Sequence, residues 1–120
     1  QVESALQECF VLADKKQLLQ VLNNVVLNAV QATAEVADQK IKLTITKNNM
    51  QVLISVSDNG KGIDDYIREK VFAPYFTTKG SGTGLGLAIT KNMIEQMHGS
   101  ITFESELNKG TTFIISLPAA

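Results

Sequence analysis

Apolar and polar positions alternate along two neighbouring stretches, Ile41, Leu43 and Ile45 in one and Val52, Ile54 and Val56 in the next. The segment between them, Lys47-Asn48-Asn49-Met50-Gln51, joins them as a hairpin. Two later runs, Ser100–Glu104 and Thr111–Leu117, flank a turn at Asn108-Lys109-Gly110, and Pro118 stops the second. An earlier apolar run, Cys9 to Ala13, predicts one more strand, with Asp14 as the cap of a following helix. Cys9 reads there as a small core residue rather than a nucleophile.

Two segments are helical in character. From Lys15 to about Ala37 there is neither Gly nor Pro, and most residues are good helix formers. A second helix is predicted from Leu85 to Met97, with apolar residues at Leu85, Ala88, Ile89, Met93, Ile94 and Met97, and His98-Gly99 ends it. Asp58 to Gly86 is rich in glycine and turn residues and holds one short helical piece around Asp64 to Val71. A connection that long is usually a lid or a binding loop. The order predicts an α/β (α+β) two-layer sandwich, with a mixed, largely antiparallel sheet of about five strands and helices on one face.

Composition narrows the function by exclusion. The 120 residues suffice for one core, and the single cysteine cannot close an internal disulfide. With no secretory leader and no membrane span, the expected setting is the cytoplasm, without membrane contact by this domain. Eleven basic against twelve acidic residues and no basic block argue against nucleic acid as a partner. One histidine excludes a histidine cluster or a His-rich metal site. Six of the eight glycines fall between Gly60 and Gly86.

Between Leu18 and Val30 the first helix is apolar almost all round and should be buried. Gln20, Asn24, Asn28 and Gln31 interrupt it, and at ~100° per residue they share a stripe about 80° wide. A buried amide without partners costs roughly 1–3 kcal/mol, so the stripe needs solvent, protein partners or a polar ligand. A solvated face normally attracts Lys and Glu, whereas these side chains are short and neutral. Carboxamide oxygen suits Mg²⁺, which keeps several waters and bridges to substrate phosphates.

The glycines form two clusters. Asp58-Asn59-Gly60-Lys61-Gly62 follows a strand, so the carboxylate can project from a rigid edge while the backbone turns close to a flat ligand, although Asp-Asn-Gly is also a common turn. Gly80-Ser81-Gly82-Thr83-Gly84-Leu85-Gly86-Leu87 runs into a helix. It is either a flexible linker or a phosphate site built from backbone N–H groups and the positive end of the helix dipole. A Walker-type loop is ruled out because Gly86 is followed by Leu87, and a GxGxxG fingerprint fails from both Gly80 and Gly82.

Taken together these blocks resemble the catalytic, ATP-binding domain of bacterial sensor histidine kinases, within the superfamily of gyrase B, Hsp90 and MutL. Gln20-Val21-Leu22, Asn24 and Asn28-Ala29 resemble the N box, and Asp58 to Ile63 the first glycine box. Phe72-Ala73-Pro74-Tyr75-Phe76-Thr77-Thr78-Lys79 is similar to the F box, Gly82 to Leu87 to the second glycine box, and Gly110-Thr111-Thr112-Phe113 to the third. The resemblance runs from about Cys9 to Leu117 and implies the Bergerat ATP-binding fold.

It also implies roles. Asp58 would accept a hydrogen bond from the adenine amino group, with Gly60, Gly62 and Ile63 shaping the base site and Thr111 or Thr112 facing the base. Asn28 would ligate Mg²⁺, with Asn24 nearby as the second candidate catalytic residue. Gly82, Thr83, Gly84, Leu85 and Gly86 would wrap the triphosphate, and Lys79 would approach it. Phe72 to Gly84 would be a short lid, like that of nitrogen-regulation sensor kinases, without fixed structure between Phe76 and Gly84, and Tyr75 and Phe76 would anchor it.

Two departures refine the picture. The ATPase relatives carry a Glu four positions before the metal-binding Asn, where this chain has Asn24, which cannot act as a general base; that favours phosphoryl transfer over hydrolysis. Gln31 stands where many histidine kinases have a basic residue, leaving phosphate charge to Lys79 or Lys61. The reacting histidine is expected on a dimerisation domain of the same parent, with a response regulator as the indirect partner. His98, followed by Gly99 at a helix end, is expected to be structural. The chain is therefore expected to be a fragment, residues 1–120, carrying the ATP domain alone. The alternatives are an anti-sigma-factor-type serine kinase, against which the F box speaks, and a nucleotide-binding regulatory module without transfer.

Overall fold

A computed structural model describes residues 15–48, 50–73 and 86–119. Helix α1 spans Lys15–Ala32, strands β1 and β2 span Ile41–Lys47 and Gln51–Asp58, and a 3₁₀ turn spans Asp65–Lys70. Helix α2, Gly86–Gln96, then leads to β3, Ser100–Glu106, and β4, Gly110–Pro118. The four strands form one antiparallel sheet in the order β1-β2-β4-β3. The strand expected at Cys9 to Ala13 and the cap at Asp14 lie outside the described residues.

The core follows from the period-two pattern. Val52, Ile54 and Val56 on β2 and Phe113, Ile115 and Leu117 on β4 are buried, while the residues between them are only partly covered. Against that face pack Leu18, Val21, Leu22, Val25 and Ala29 of α1 and Ile94 of α2. Hydroxyl and charged residues such as Lys42, Thr44, Ser55, Thr102 and Glu104 occupy the alternate positions, so both helices cover one face of a two-layer sandwich.

The helices differ from expectation in three respects. Helix α1 stops at Ala32, about five residues short of Ala37, although helix formers continue. Thr33 is buried, and its hydroxyl donates to the Ala29 carbonyl at 2.9 Å, while Ala34 N–H bonds Gln31 and Val36 N–H bonds Thr33 in tight three-residue turns. The Ala32 carbonyl is taken from outside by the N–H of Lys61. Nor is α1 buried all round: Leu27 is 54% and Val30 42% exposed, on the side that also carries Gln20 and Gln31. Ile94 of α2 and Met97 just past its end enter the core as expected, but Ile89 faces solvent, and the half-buried Leu87 packs on the core.

Helix α2 closes in a Schellman motif. Gly99 N–H reaches the Ile94 carbonyl at 2.9 Å and His98 N–H that of Glu95 at 3.0 Å, with His98 itself left-handed at φ 62°. His98 is thus an exposed helix cap.

Candidate functional site

The fold brings the first and third glycine blocks to one end of the sheet. Asp58, the last residue of β2, pairs in register with Thr111 of β4, and Thr111 with Ser105 of β3. The three side chains share the helix-facing side, one row beyond Val56, Phe113 and Phe103. Asp58 is only 7% exposed. Its Oδ1 accepts from Gly60 N–H at 2.9 Å, while the equally buried Oδ2 has no hydrogen-bond partner among the described residues. Burial raises the carboxyl above the usual carboxylate range, and the backbone N–H groups of Gly60 and Thr111 oppose that rise.

Two glycines make this end of the sheet possible. Gly62 is left-handed at φ 76°, and a Cβ there would strike the Glu106 carbonyl. Gly110, at φ 138°, lies against the Asp58 carbonyl, where no side chain fits. Backbone bonds then tie the parts together: Asn108 N–H donates to the Lys61 carbonyl at 2.7 Å, and Lys61 N–H to Ala32 at 3.4 Å. The second residue of the block, Asn59, is a structural staple, its side chain accepting from Lys40 N–H and donating to the Asp38 carbonyl.

The two threonines part company. Thr111 is buried beside Asp58, whereas Thr112 points to the opposite side of the sheet, 2.8 Å from the Ser57 hydroxyl. Thr112 is therefore not brought to Asp58. The half-buried Ile63 lies near the row, its N–H donating to Ser105 Oγ at 2.7 Å. Ser105 was not singled out from the sequence. Counting the β3–β4 register back from Gly110 would have found it, because Ser105 must then face Thr111.

On α1, Asn24 and Asn28 are half-buried along the border between the apolar face and the exposed one. Asn24 Nδ2 donates to the hydroxyl of Thr90 at 3.1 Å, a buried residue one turn into α2, which makes it a link between the helices. Lys61 is exposed. Gly86 opens α2; Lys79, Gly82, Thr83, Gly84 and Leu85, with the span expected to lack fixed structure, lie outside the described residues, as do Tyr75 and Phe76. The root of the F box is described: Phe72 meets Phe103 and Phe113 edge-on, at centroid distances of 5.9 and 6.2 Å. Lys91 of α2 lies 5.4 Å over the Phe72 ring and Arg68 5.3 Å over that of Phe103. Among the described residues there is no group of three or more His, Cys, Asp or Glu that could hold a metal. No described helix is long and apolar enough to cross a membrane.

Known proteins are similar to this chain in sequence and in fold. The chain is 46% identical over 106 residues to the sensor histidine kinase ZraS of Escherichia coli, covering 88% of this chain and 22% of ZraS. Sporulation kinase B of Bacillus subtilis is 36% identical over 93% of this chain and 26% of its own. The chain thus spans about a quarter or less of these curated relatives. Among solved structures, the nucleotide-free catalytic domain of the histidine kinase ThkA matches with a TM-score of 0.77 at 42% identity, over 88% of this chain and 68% of that one. A family profile described as histidine kinase-, DNA gyrase B- and HSP90-like ATPase matches residues 13–120, and the chain belongs to that family.

Proposed function

We propose that this domain binds Mg·ATP and, within a longer parent, donates the γ-phosphoryl group to a histidine on a separate helical dimerisation domain, from which it passes to a response regulator. The observation that carries the reading is Asp58 Oδ2, a carboxylate oxygen buried at the sheet end without a described partner. An unsatisfied buried acceptor costs about 1–3 kcal/mol, and a ligand donating an N–H from a flat edge removes that cost. The adenine amino group supplies such a donor. Thr111 stands beside Asp58 on the same side of the sheet, and Gly60 donates its N–H to the other carboxylate oxygen.

Asn28 fits the magnesium role through its carboxamide oxygen and its half-buried place on the border of α1. Magnesium at that place would supply charge neutralisation for the phosphates. The chain's own contribution is positioning: Asp58 and Thr111 fix the base, α1 presents Asn28, and the glycine run before α2 would offer backbone N–H groups to the triphosphate. Asn24 holds α1 to α2 through Thr90 and offers no general base, which favours transfer to a partner over hydrolysis.

Mixing the domain with the dimerisation domain of its parent and γ-labelled ATP tests the reading. Acid-labile, base-stable label on the partner is expected. Acid-stable phosphoserine would instead support a serine kinase, and tight nucleotide binding without transfer a regulatory module.

A further inference from the structure

The polar row at the sheet end has a donor direction set by one residue. Ser105 Oγ accepts from Ile63 N–H at 2.7 Å, lies 3.0 Å from the Gly110 carbonyl and 2.8 Å from Thr111 Oγ1. A hydroxyl has one proton and two lone pairs, and a carbonyl can only accept, so the one assignment that makes all three contacts hydrogen bonds sends the Ser105 proton to Gly110. In that assignment the Thr111 hydroxyl donates to Ser105, which completes the bonding of Ser105. Toward anything else, Thr111 offers lone pairs. Its neighbour in the row is Asp58, whose buried Oδ2 is also an acceptor when ionised. The Asp58–Thr111 pair therefore presents acceptors and no side-chain donor.

We propose that Ser105 is a specificity-determining positioning residue: by drawing the Thr111 hydroxyl proton toward β3, it keeps the Asp58–Thr111 pair an acceptor-only surface that takes a purine edge bearing an amino group and rejects one bearing a carbonyl. The inference rests on the nucleotide reading above and extends it to how the base is chosen. At its six-position adenine brings the two N–H donors of its amino group to this surface, and the contrast concerns that substituent rather than the neighbouring N1. Hypoxanthine brings a carbonyl oxygen to the same place, so acceptor would face acceptor and a buried polar group would go unpaired. Without Ser105, the Thr111 hydroxyl is free to rotate and donate to that oxygen, and the discrimination falls.

The test is the ratio of ATP to ITP affinity, measured by calorimetry on the unaltered domain and on Ser105→Ala, Ser105→Thr, Thr111→Val and the double variant Ser105→Ala/Thr111→Val. We expect the preference for ATP to fall ~10-fold in Ser105→Ala and to return in Ser105→Thr, with the double variant no different from Thr111→Val alone. A purely structural role would weaken both nucleotides together and leave the ratio unchanged, and that result overturns the proposal. Should Ser105→Ala not fold, Thr111→Ser and Thr111→Val decide: the preference should survive in the former and drop in the latter, and equal preferences overturn it. Failure of the unaltered domain to bind either nucleotide is a different result, which overturns the nucleotide reading and the proposal with it.

Discussion

The polar row of the sheet and the polar stripe of α1 solve the same problem in opposite ways. Asp58, Thr111 and Ser105 sit abreast on three hydrogen-bonded strands, so register alone dictates which side chains meet. Asp58 and Thr111 are buried and Ser105 half-buried, and their bonds run to each other and to backbone, which leaves one carboxylate oxygen over. Asn24 and Asn28 lie half-buried on a helix border, and Asn24 donates its amide N–H to Thr90. A rigid, dry row suits a flat base that must be distinguished by its hydrogen-bonding edge. A half-wet helix border suits a hydrated cation and phosphates, whose positions shift as a reaction proceeds.

The contrast breaks most severely where the row's backbone is disturbed. Gly110→Ala forces a left-handed backbone on a residue with a Cβ and drives that carbon into the Asp58 carbonyl. The expected loss is ~3 kcal/mol of stability by urea unfolding, with nucleotide binding lost in the folded remainder. A loss below about 0.5 kcal/mol would show that the row is not held by close backbone contact.

Next in size is Asp58→Asn, expected to weaken ATP about a hundredfold while the empty domain becomes more stable at neutral pH. The sign follows from burial. The folded carboxyl is raised, so its ionisation is less favourable in the fold than in the unfolded chain. The stability it contributes is full below about pH 4 and is lost as pH rises through the raised folded value. The gain in melting temperature of Asp58→Asn over the unaltered domain should therefore be small at pH 4 and grow toward pH 7. A pH-independent difference would mean that Asp58 is not charged and buried, and unchanged ATP affinity would remove it from the site.

These predictions also mark how far the sequence could be read. The hairpin of β1 and β2 is plain in the alternation of Ile41, Leu43 and Ile45 with Val52, Ile54 and Val56, because the period of two and the turn agree. Asp58 was singled out by chemistry, yet nothing local says that one of its oxygens is orphaned; that depends on β4 and β3 closing beside it. The threonine pair was ambiguous until the sheet gave Thr111 to the helix side and Thr112 to the other. The end of α1 was illegible because Ala34, Glu35 and Ala37 favour a helix, whereas the stop comes from the Thr33 hydroxyl and from Lys61, a residue far along the chain. The exposure of Leu27 and Val30 is not legible, because a run of apolar residues does not announce which side a helix turns outward.

The smallest effects belong to the stripe, and they separate its two asparagines. Asn28→Ala should lower ATP affinity ~10-fold in the presence of Mg²⁺ and leave it unchanged in EDTA, because only the cation-dependent part of binding passes through that carboxamide. Asn24→Ala should cost ~1 kcal/mol of stability by leaving the buried Thr90 hydroxyl without this donor, and Thr90→Val should cost much the same with little added in the double variant. Its effect on nucleotide affinity should be equal with and without Mg²⁺. Titration of a fluorescent ATP analogue in both media, beside thermal unfolding, reads all of these. If Asn28→Ala weakens binding equally in EDTA, the carboxamide holds the nucleotide or the fold rather than the metal. The stripe would then be a second structural seam like Asn24–Thr90, and the difference between the dry row and the wet border would be one of burial alone.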